Sequence, residues 1–200
     1  MEGRDKFTLG LELPTDPRWI DVAEKNIIDV LVDHAYCEQK AASSCISLII
    51  LHPDRKELVE ALTPVVAEEW DHFQRVLSEL KKRGHGLGKQ RRDEYVEELT
   101  KLVRKGGSRE QQLMEKLLLN ALIEARSCER FKLLWKNLPD KELAEFYYEL
   151  MISEAGHYKN FLQLAKLYVS EEIVNARWKE LLEKEALIMK RLSLRGDRMH

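Results

Sequence analysis

The sequence predicts an all-α protein built as a bundle of long helices, and three observations lead there. The 200 residues contain only 9 Gly and 5 Pro, too little punctuation for the many turns of a β fold. Hydrophobic residues make up 44% and charged residues 34%, which suits a globular chain and excludes most disordered and collagen-like ones. Apolar residues recur at alternating spacings of four and three, the near-seven period of left-handed helix packing. At roughly 150 residues per domain, the length predicts one domain over 1–200.

Each element follows from local signals. Pro14-Thr15-Asp16-Pro17 predicts a helix start, with Asp16 as N-cap and Pro17 at the first helical position. A helical pattern then runs to His52. Pro53-Asp54 ends it and opens a second, to about Arg83, whose first turns Pro64 should kink or reset. Gly84-His85-Gly86-Leu87-Gly88 is a break. A short amphipathic helix is expected around Tyr95, Val96, Leu99, Leu102 and Val103. Gly106-Gly107 breaks again, and Ser108 caps a third long helix from about Arg109 to Asn137. Pro139-Asp140 opens a fourth, to about Val169, and Ser170 caps a C-terminal helix to about Leu192.

The net charge of -2 hides an uneven distribution. Residues 81–109 carry ten Lys/Arg against four acids, a local +6 that leaves -8 on the rest. A solvated connection would have this composition. So would a phosphate-contacting patch, with Lys81, Lys82, Arg83, Lys89, Arg91 and Arg92 as candidate RNA-binding residues. No apolar run reaches the roughly 18 residues of a membrane span. The stretch Met1 to Gly10 is charged and lacks the apolar segment of a secretion signal. Cys37, Cys45 and Cys128 form an odd, unpatterned set, expected as reduced thiols. These features predict a cytoplasmic protein.

The core stripes carry the chemistry. The first long helix reads Leu31, Ala35, Glu38, Ala42, Cys45, Ile49, and the third reads Leu117, Ala121, Glu124, Cys128, Phe131, Trp135. Each is apolar except for one glutamate at the same place. The second reads Leu58, Leu62, Val65, Glu69, His72, Val76, Leu80, and the fourth reads Leu143, Tyr147, Leu150, Glu154, His157, Phe161, Leu164, Tyr168. Each is apolar except for a Glu-x-x-His. A carboxylate on a buried face is costly unless it is paired, protonated or bound to a metal. Residues three apart point the same way on a helix, so each Glu-x-x-His can turn a carboxylate and an imidazole onto one ion. With 25 Glu and 6 His in 200 positions, chance supplies about 0.75 such motifs. Placement on the stripes, not occurrence, gives them weight.

An internal repeat adds to this. Glu38 lies 15 residues before Pro53, and Glu124 lies 15 before Pro139. Pro-Asp-Arg-Lys-Glu-Leu at 53–58 returns as Pro-Asp-Lys-Glu-Leu at 139–143. Glu69 lies 16 residues after its proline and Glu154 lies 15 after its own. At about 1.5 Å per residue, roughly 22–24 Å of helix separates turn from glutamate on every limb. Antiparallel hairpins with such limbs bring Glu38 level with Glu69 and His72, and Glu124 level with Glu154 and His157. Two of them facing each other would gather four Glu and two His at one height.

That set is the pattern of ferritin-like di-metal carboxylate bundles. The fold expected is therefore a ferritin-like four-helix bundle with additional short N-terminal, crossover and C-terminal helices. Carboxylate and imidazole donors together suit iron or manganese rather than a structural thiolate zinc. A core of six internally satisfied polar residues would show the same letters, but six matched intrusions in two copies argue against it. The expected metal ligands are Glu38, Glu69, His72, Glu124, Glu154 and His157, with no catalytic residue beyond them. By analogy with that architecture, Glu69 and Glu154 would bridge two metals. Glu38 and His72 would serve one, and Glu124 and His157 the other. Glu68 and Glu129 fall off the stripes and are expected at the surface or in support of the ligands. His34, one residue off the first stripe, reads as a structural histidine or a partner of a ligand.

Longer blocks surround these positions: Asp-His-Ala-Tyr-Cys-Glu-Gln-Lys-Ala-Ala at 33–42, Glu-Glu-Trp-Asp-His-Phe at 68–73, Ile-Glu-Ala-Arg-Ser-Cys-Glu-Arg-Phe at 123–131 and Ser-Glu-Ala-Gly-His-Tyr at 153–158. With the basic Lys-Lys-Arg-Gly-His-Gly-Leu-Gly-Lys-Gln-Arg-Arg at 81–92, they resemble the bacterial tRNA 2-methylthio-N6-isopentenyladenosine hydroxylases, the MiaE family. The similarity spans nearly the whole chain, and every expected ligand has its counterpart. The resemblance implies a non-haem di-iron monooxygenase holding two iron ions. It would use O2 and two electrons to hydroxylate the isopentenyl group of a hypermodified adenosine beside the tRNA anticodon.

The residues fit that implication. A bundle core can offer a prenyl group an apolar cavity, with Phe131, Tyr147, Phe161 and Tyr168 as candidate lining. The basic stretch can hold phosphates of the anticodon stem-loop without reading sequence. An unpaired loop base can be splayed out and presented to the protein. No flavin or iron–sulfur motif is present, so electrons are expected from a separate reductase protein. Gly84 to Gly88 does not match a dinucleotide fingerprint, because its third glycine comes one residue early and no strand precedes it. Arg195-Gly196-Asp197 spells an adhesion tripeptide, read here as coincidence. A monomer or dimer is expected. The alternatives are a ferritin-like ferroxidase, a manganese catalase, and a non-catalytic RNA-binding helical module.

Overall fold

The computed structural model describes residues 9–200, so most of the charged opening stretch, residues 1–8, lies outside the described residues. Among the described residues there are seven α-helices and no strand. They are α1 (Arg18–Lys25), α2 (Ile27–Leu51), α3 (Lys56–Lys82), α4 (Glu94–Thr100), α5 (Arg109–Asn137), α6 (Lys141–Tyr168) and α7 (Glu171–Arg191). None is long and apolar enough to cross a membrane. The chain divides into two compact units: residues 18–92 with 195–199, and residues 9–17 with 93–194 and His200.

In the first unit α2 packs along α3 and α1 packs on α2. The turn after α2 is closed by His52 N–H donating to Leu48 O at 3.1 Å and Arg55 N–H donating to His52 O at 3.1 Å. The stripe residues Leu31, Ala35, Ala42 and Cys45 of α2 are buried, as are Leu58, Leu62, Val65, Val76 and Leu80 of α3. Pro64 stays inside one continuous α3. The pattern expected to run unbroken from Pro17 to His52 is instead interrupted at Asn26. Its side-chain amide donates to Val22 O at 2.8 Å, and its backbone N–H turns back to Ala23 O at 3.1 Å. The side chain thus takes a carbonyl that a continuing helix would use.

Residues 195–199 return to this unit. Met199 N–H donates to Asp33 Oδ2 at 2.8 Å, and Arg198 Nε donates to Arg92 O at 3.0 Å. The Arg195-Gly196-Asp197 tripeptide is closed on itself, with Arg195 Nε and Nη2 each 3.0 Å from the Asp197 carboxylate. A Cβ on Gly196 would lie 2.4 Å from Val22 O. Only glycine lets the backbone pass α1 this closely.

In the second unit α5 packs along α6, and α7 packs on α4, α5 and α6. Ser108 caps α5 in a capping box with Gln111, and the side chains of Asp140 and Asp93 accept from Leu143 N–H at 3.1 Å and Val96 N–H at 3.0 Å. Ser170 precedes α7 without a side-chain cap bond. Leu117, Ala121, Cys128 and Phe131 of α5 are buried, with Leu143, Tyr147, Leu150, Phe161 and Leu164 of α6.

Two buried ion networks fasten this unit. Arg126, fully buried, donates from Nη2 and Nε to Glu185 Oε1 at 2.6 and 2.9 Å, from Nη1 to Glu129 Oε2 at 2.8 Å, and from Nη2 to Leu13 O at 2.9 Å. Glu129 also accepts from the Thr15 N–H at 2.7 Å and hydroxyl at 2.6 Å. Glu129 therefore ties the chain before α1 to α5. On α7, Arg177 donates to Glu115 at 2.7 and 2.8 Å and to Leu102 O at 2.6 Å.

Candidate metal centre

The first hairpin brings three of the sequence-expected ligands together. Glu38 projects from α2, and Glu69 and His72 project from α3; all three are buried. Each offers a ligand atom, and the three atoms lie within 4.8 Å of one another. His72 Nδ1 is 3.5 Å from Glu38 Oε2 and 3.9 Å from Glu69 Oε2. The register read from the 15- and 16-residue limbs therefore holds across this hairpin. His34, one turn before Glu38, places Nε2 2.5 Å from Glu38 Oε1. Burial alone would push the Glu38 carboxyl up. The charge of His34 and the hydrogen-bonding contacts of His34 and His72 outweigh it and hold the group well below the usual carboxylate range.

The second hairpin does the same with Glu124 of α5 and with Glu154 and His157 of α6. All three are buried, and their ligand atoms again lie within 4.8 Å of one another. His157 Nδ1 is 2.9 Å from Glu154 Oε2. Cys128 follows Glu124 by one turn, and its Sγ donates to Met151 O at 3.4 Å. Burial, with the Glu154 and Glu124 carboxylates nearby, pushes the Cys128 thiol up to about 12, so it stays protonated and offers no thiolate. Cys37, Cys45 and Cys128 are all free thiols.

Each hairpin thus supplies two carboxylates and one imidazole to one buried point. Like charges crowd there at a cost that a divalent cation removes. Oxygen and nitrogen donors without thiolate fit iron or manganese. The aromatic candidates lie in the second unit. Phe131, Tyr147 and Phe161 are buried, Tyr168 is half-buried, and the rings of Phe131 and Tyr147 meet tilted at 40°, 5.4 Å between centroids. Glu68 is exposed, whereas Glu129 belongs to the Arg126 network.

The six basic candidates are not alike. Arg83 Nη1 donates to Glu79 Oε2 at 2.5 Å, and Lys82 Nζ donates to Glu79 Oε1 at 2.7 Å. Arg91 pairs with Asp29 and lies 3.7 Å from Asp197. Lys81, Lys89 and Arg92 are exposed. Sequence reading missed the Arg126–Glu185–Glu129 and Glu115–Arg177 networks. The available signal was an excess of charge on α5, where Glu115, Arg126, Glu129, Arg130 and Lys132 are all buried.

Comparison with known proteins adds the following. The family described as tRNA-(MS[2]IO[6]A)-hydroxylase (MiaE) matches residues 4–200. A tRNA 2-(methylsulfanyl)-N(6)-isopentenyladenosine(37) hydroxylase from Pseudomonas putida is 38% identical over 180 residues, 86% of either chain. One of the same description from Salmonella typhimurium is 29% identical over 225 residues, 88% of this chain and 82% of that one. A solved structure described as a protein with aldehyde deformylating oxygenase activity from Synechococcus has a TM-score of 0.89 and 34% identity, covering 95% of this chain and 94% of its own. That likeness shows the ferritin-like all-α fold.

Proposed function

The chain belongs to the tRNA-(MS[2]IO[6]A)-hydroxylase (MiaE) family, and from that premise we propose that it is a di-iron monooxygenase acting on tRNA. It is a tRNA-modifying hydroxylase, an oxidoreductase. Its substrate is the isopentenyl group of 2-methylthio-isopentenyladenosine beside the anticodon. One C–H bond becomes C–OH; the second oxygen atom of O2 leaves as water, with two electrons and two protons taken up. The observation that carries this reading is the matched pair of buried Glu plus Glu-x-x-His sets on two copies of one helix hairpin.

Glu38, Glu69 and His72 would hold metal from one hairpin, and Glu124, Glu154 and His157 from the other. Glu69 and Glu154 would each serve both ions. Two bound iron ions would supply the O2 chemistry, with electrons from a separate reductase protein. The residues of this chain hold and orient. The buried carboxylates fix the donor set, Phe131, Tyr147 and Phe161 offer an apolar wall to a prenyl group, and the helix cores keep bulk water out. We take the two units as halves of one domain. The exposed Lys81, Lys89 and Arg92 would meet phosphates of the anticodon stem-loop. A tRNA substrate supports a cytoplasmic place of work.

The test is nucleoside mass spectrometry on tRNA bearing the methylthio-isopentenyl adenosine, treated with iron-loaded, reduced protein and O2. A gain of one oxygen on that nucleoside, absent with Glu69→Ala, is expected. No gain with iron bound and reduced would move the assignment to a ferroxidase or an oxygenase of another apolar substrate. Tight tRNA binding without any product would favour the RNA-binding module. Glu69→Ala and Glu154→Ala are each expected to lose both metals together, read as metal content per chain; full occupancy in either would refute the bridging assignment.

A further inference from the structure

The two halves of the ligand set differ one turn before their lone glutamates. His34 lies four residues before Glu38, fully buried, with Nε2 2.5 Å from Glu38 Oε1. The other oxygen, Oε2, lies on the side of His72, 3.5 Å from its Nδ1. The carboxylate is therefore divided: one oxygen takes the His34 N–H and the other joins the imidazole of the Glu-x-x-His. In the second copy of the repeat the residue four before Glu124 is Asn120. There a half-buried neutral amide stands where the first copy has a fully buried imidazole.

We propose that His34 is a positioning residue that fixes Glu38 as a one-oxygen ligand through Oε2, and that the two metal positions are chemically inequivalent as a result. This rests on the di-iron reading above. A carboxylate whose orientation is set by a buried hydrogen bond loses little freedom on binding metal, so the ion served by Glu38 is held by a preorganised ligand. Removing the N–H leaves Oε1 buried without its donor. The carboxylate is then released to rotate or to chelate with both oxygens. The consequence is confined to one of the two ions.

The test titrates Fe(II) without oxygen into the metal-free full-length chain, with Mössbauer spectroscopy of the loaded protein. His34→Phe keeps the ring volume and removes the donor. His34→Gln returns an amide N–H at about the reach of Nε2. Wild type is expected to bind two ions in two distinguishable environments. In His34→Phe one ion should weaken by roughly 10–100-fold, with its spectrum altered and the other ion unchanged. His34→Gln should restore both. A His34→Phe protein with wild-type affinities and spectrum overturns the assignment alone. Equal weakening of both ions, unrelieved in His34→Gln, overturns it in favour of a packing role. A wild-type chain that takes up no Fe(II) overturns the di-iron reading and this assignment with it.

Discussion

Glu79 sits near the end of α3, buried, with Lys82 and Arg83 both on its carboxylate at 2.7 and 2.5 Å. Burial alone would raise its pKa. The hydrogen bonds and charges of Lys82 and Arg83 reverse that, and the group lies below its ordinary 4.5. A carboxyl depressed by folding adds stability above its unfolded pKa and loses it as pH falls through the folded one. Wild type should therefore be more stable than Glu79→Gln at neutral pH, and the gap should close as pH drops below about 4.5. Denaturant midpoints measured across pH 7 to 3 check this; a gap that persists or widens in acid would refute it. Single residues were legible in the sequence where they broke a stripe. Glu38 and Glu124 each stand alone on an apolar face, and Glu69 with His72 and Glu154 with His157 are the polar pair on theirs. Glu129 was not legible, because α5 buries more than one face, and off-stripe charge then means a paired interior rather than solvent.

Among the elements, α7 is fastened by two buried ion pairs, Glu185 with Arg126 and Arg177 with Glu115. Arg177 and Glu115 are 2% and 4% exposed at their side chains. Arg177→Ala would leave Glu115 buried without its guanidinium, a loss of about 3–5 kcal/mol by analogy with other broken buried pairs. Arg177→Met combined with Glu115→Leu should recover most of it, since both charges leave together. Thermal and denaturant unfolding of the three proteins would decide; a double variant as unstable as the single one would refute the account. The helices themselves were legible from their punctuation: Ser108, Asp140 and the turns at Pro53 and Pro139 mark ends found within a residue or two. The break at Asn26 was not, because asparagine interrupts a helix only when its side chain captures a nearby carbonyl. That choice depends on three-dimensional context.

For the whole molecule, net charge says less than which charges are already spent. Sequence treats Lys81, Lys82, Arg83, Lys89, Arg91 and Arg92 alike, but three of them face acids of the same chain. Charge-removing substitution of Lys81 and Lys89 together should weaken tRNA binding and lower its salt slope by about one per lost phosphate contact. Arg91→Gln should act first on thermal stability, through its ties to Asp29 and Asp197. Binding isotherms at several salt concentrations, beside melting curves, separate the two effects. An Arg91→Gln protein with normal melting and the largest loss of affinity would invert this division.

The segment around Met199 has a consequence in time. Met199 is fully buried and bonds to Asp33, which the ribosome delivers 166 residues earlier. At about 5–20 residues per second, Asp33 on the nascent α2 waits on the order of 10–30 s for that cover. Through that interval the Asp33 flank of α2 is open to chaperones, and ribosome stalling late in the message would prolong the exposure.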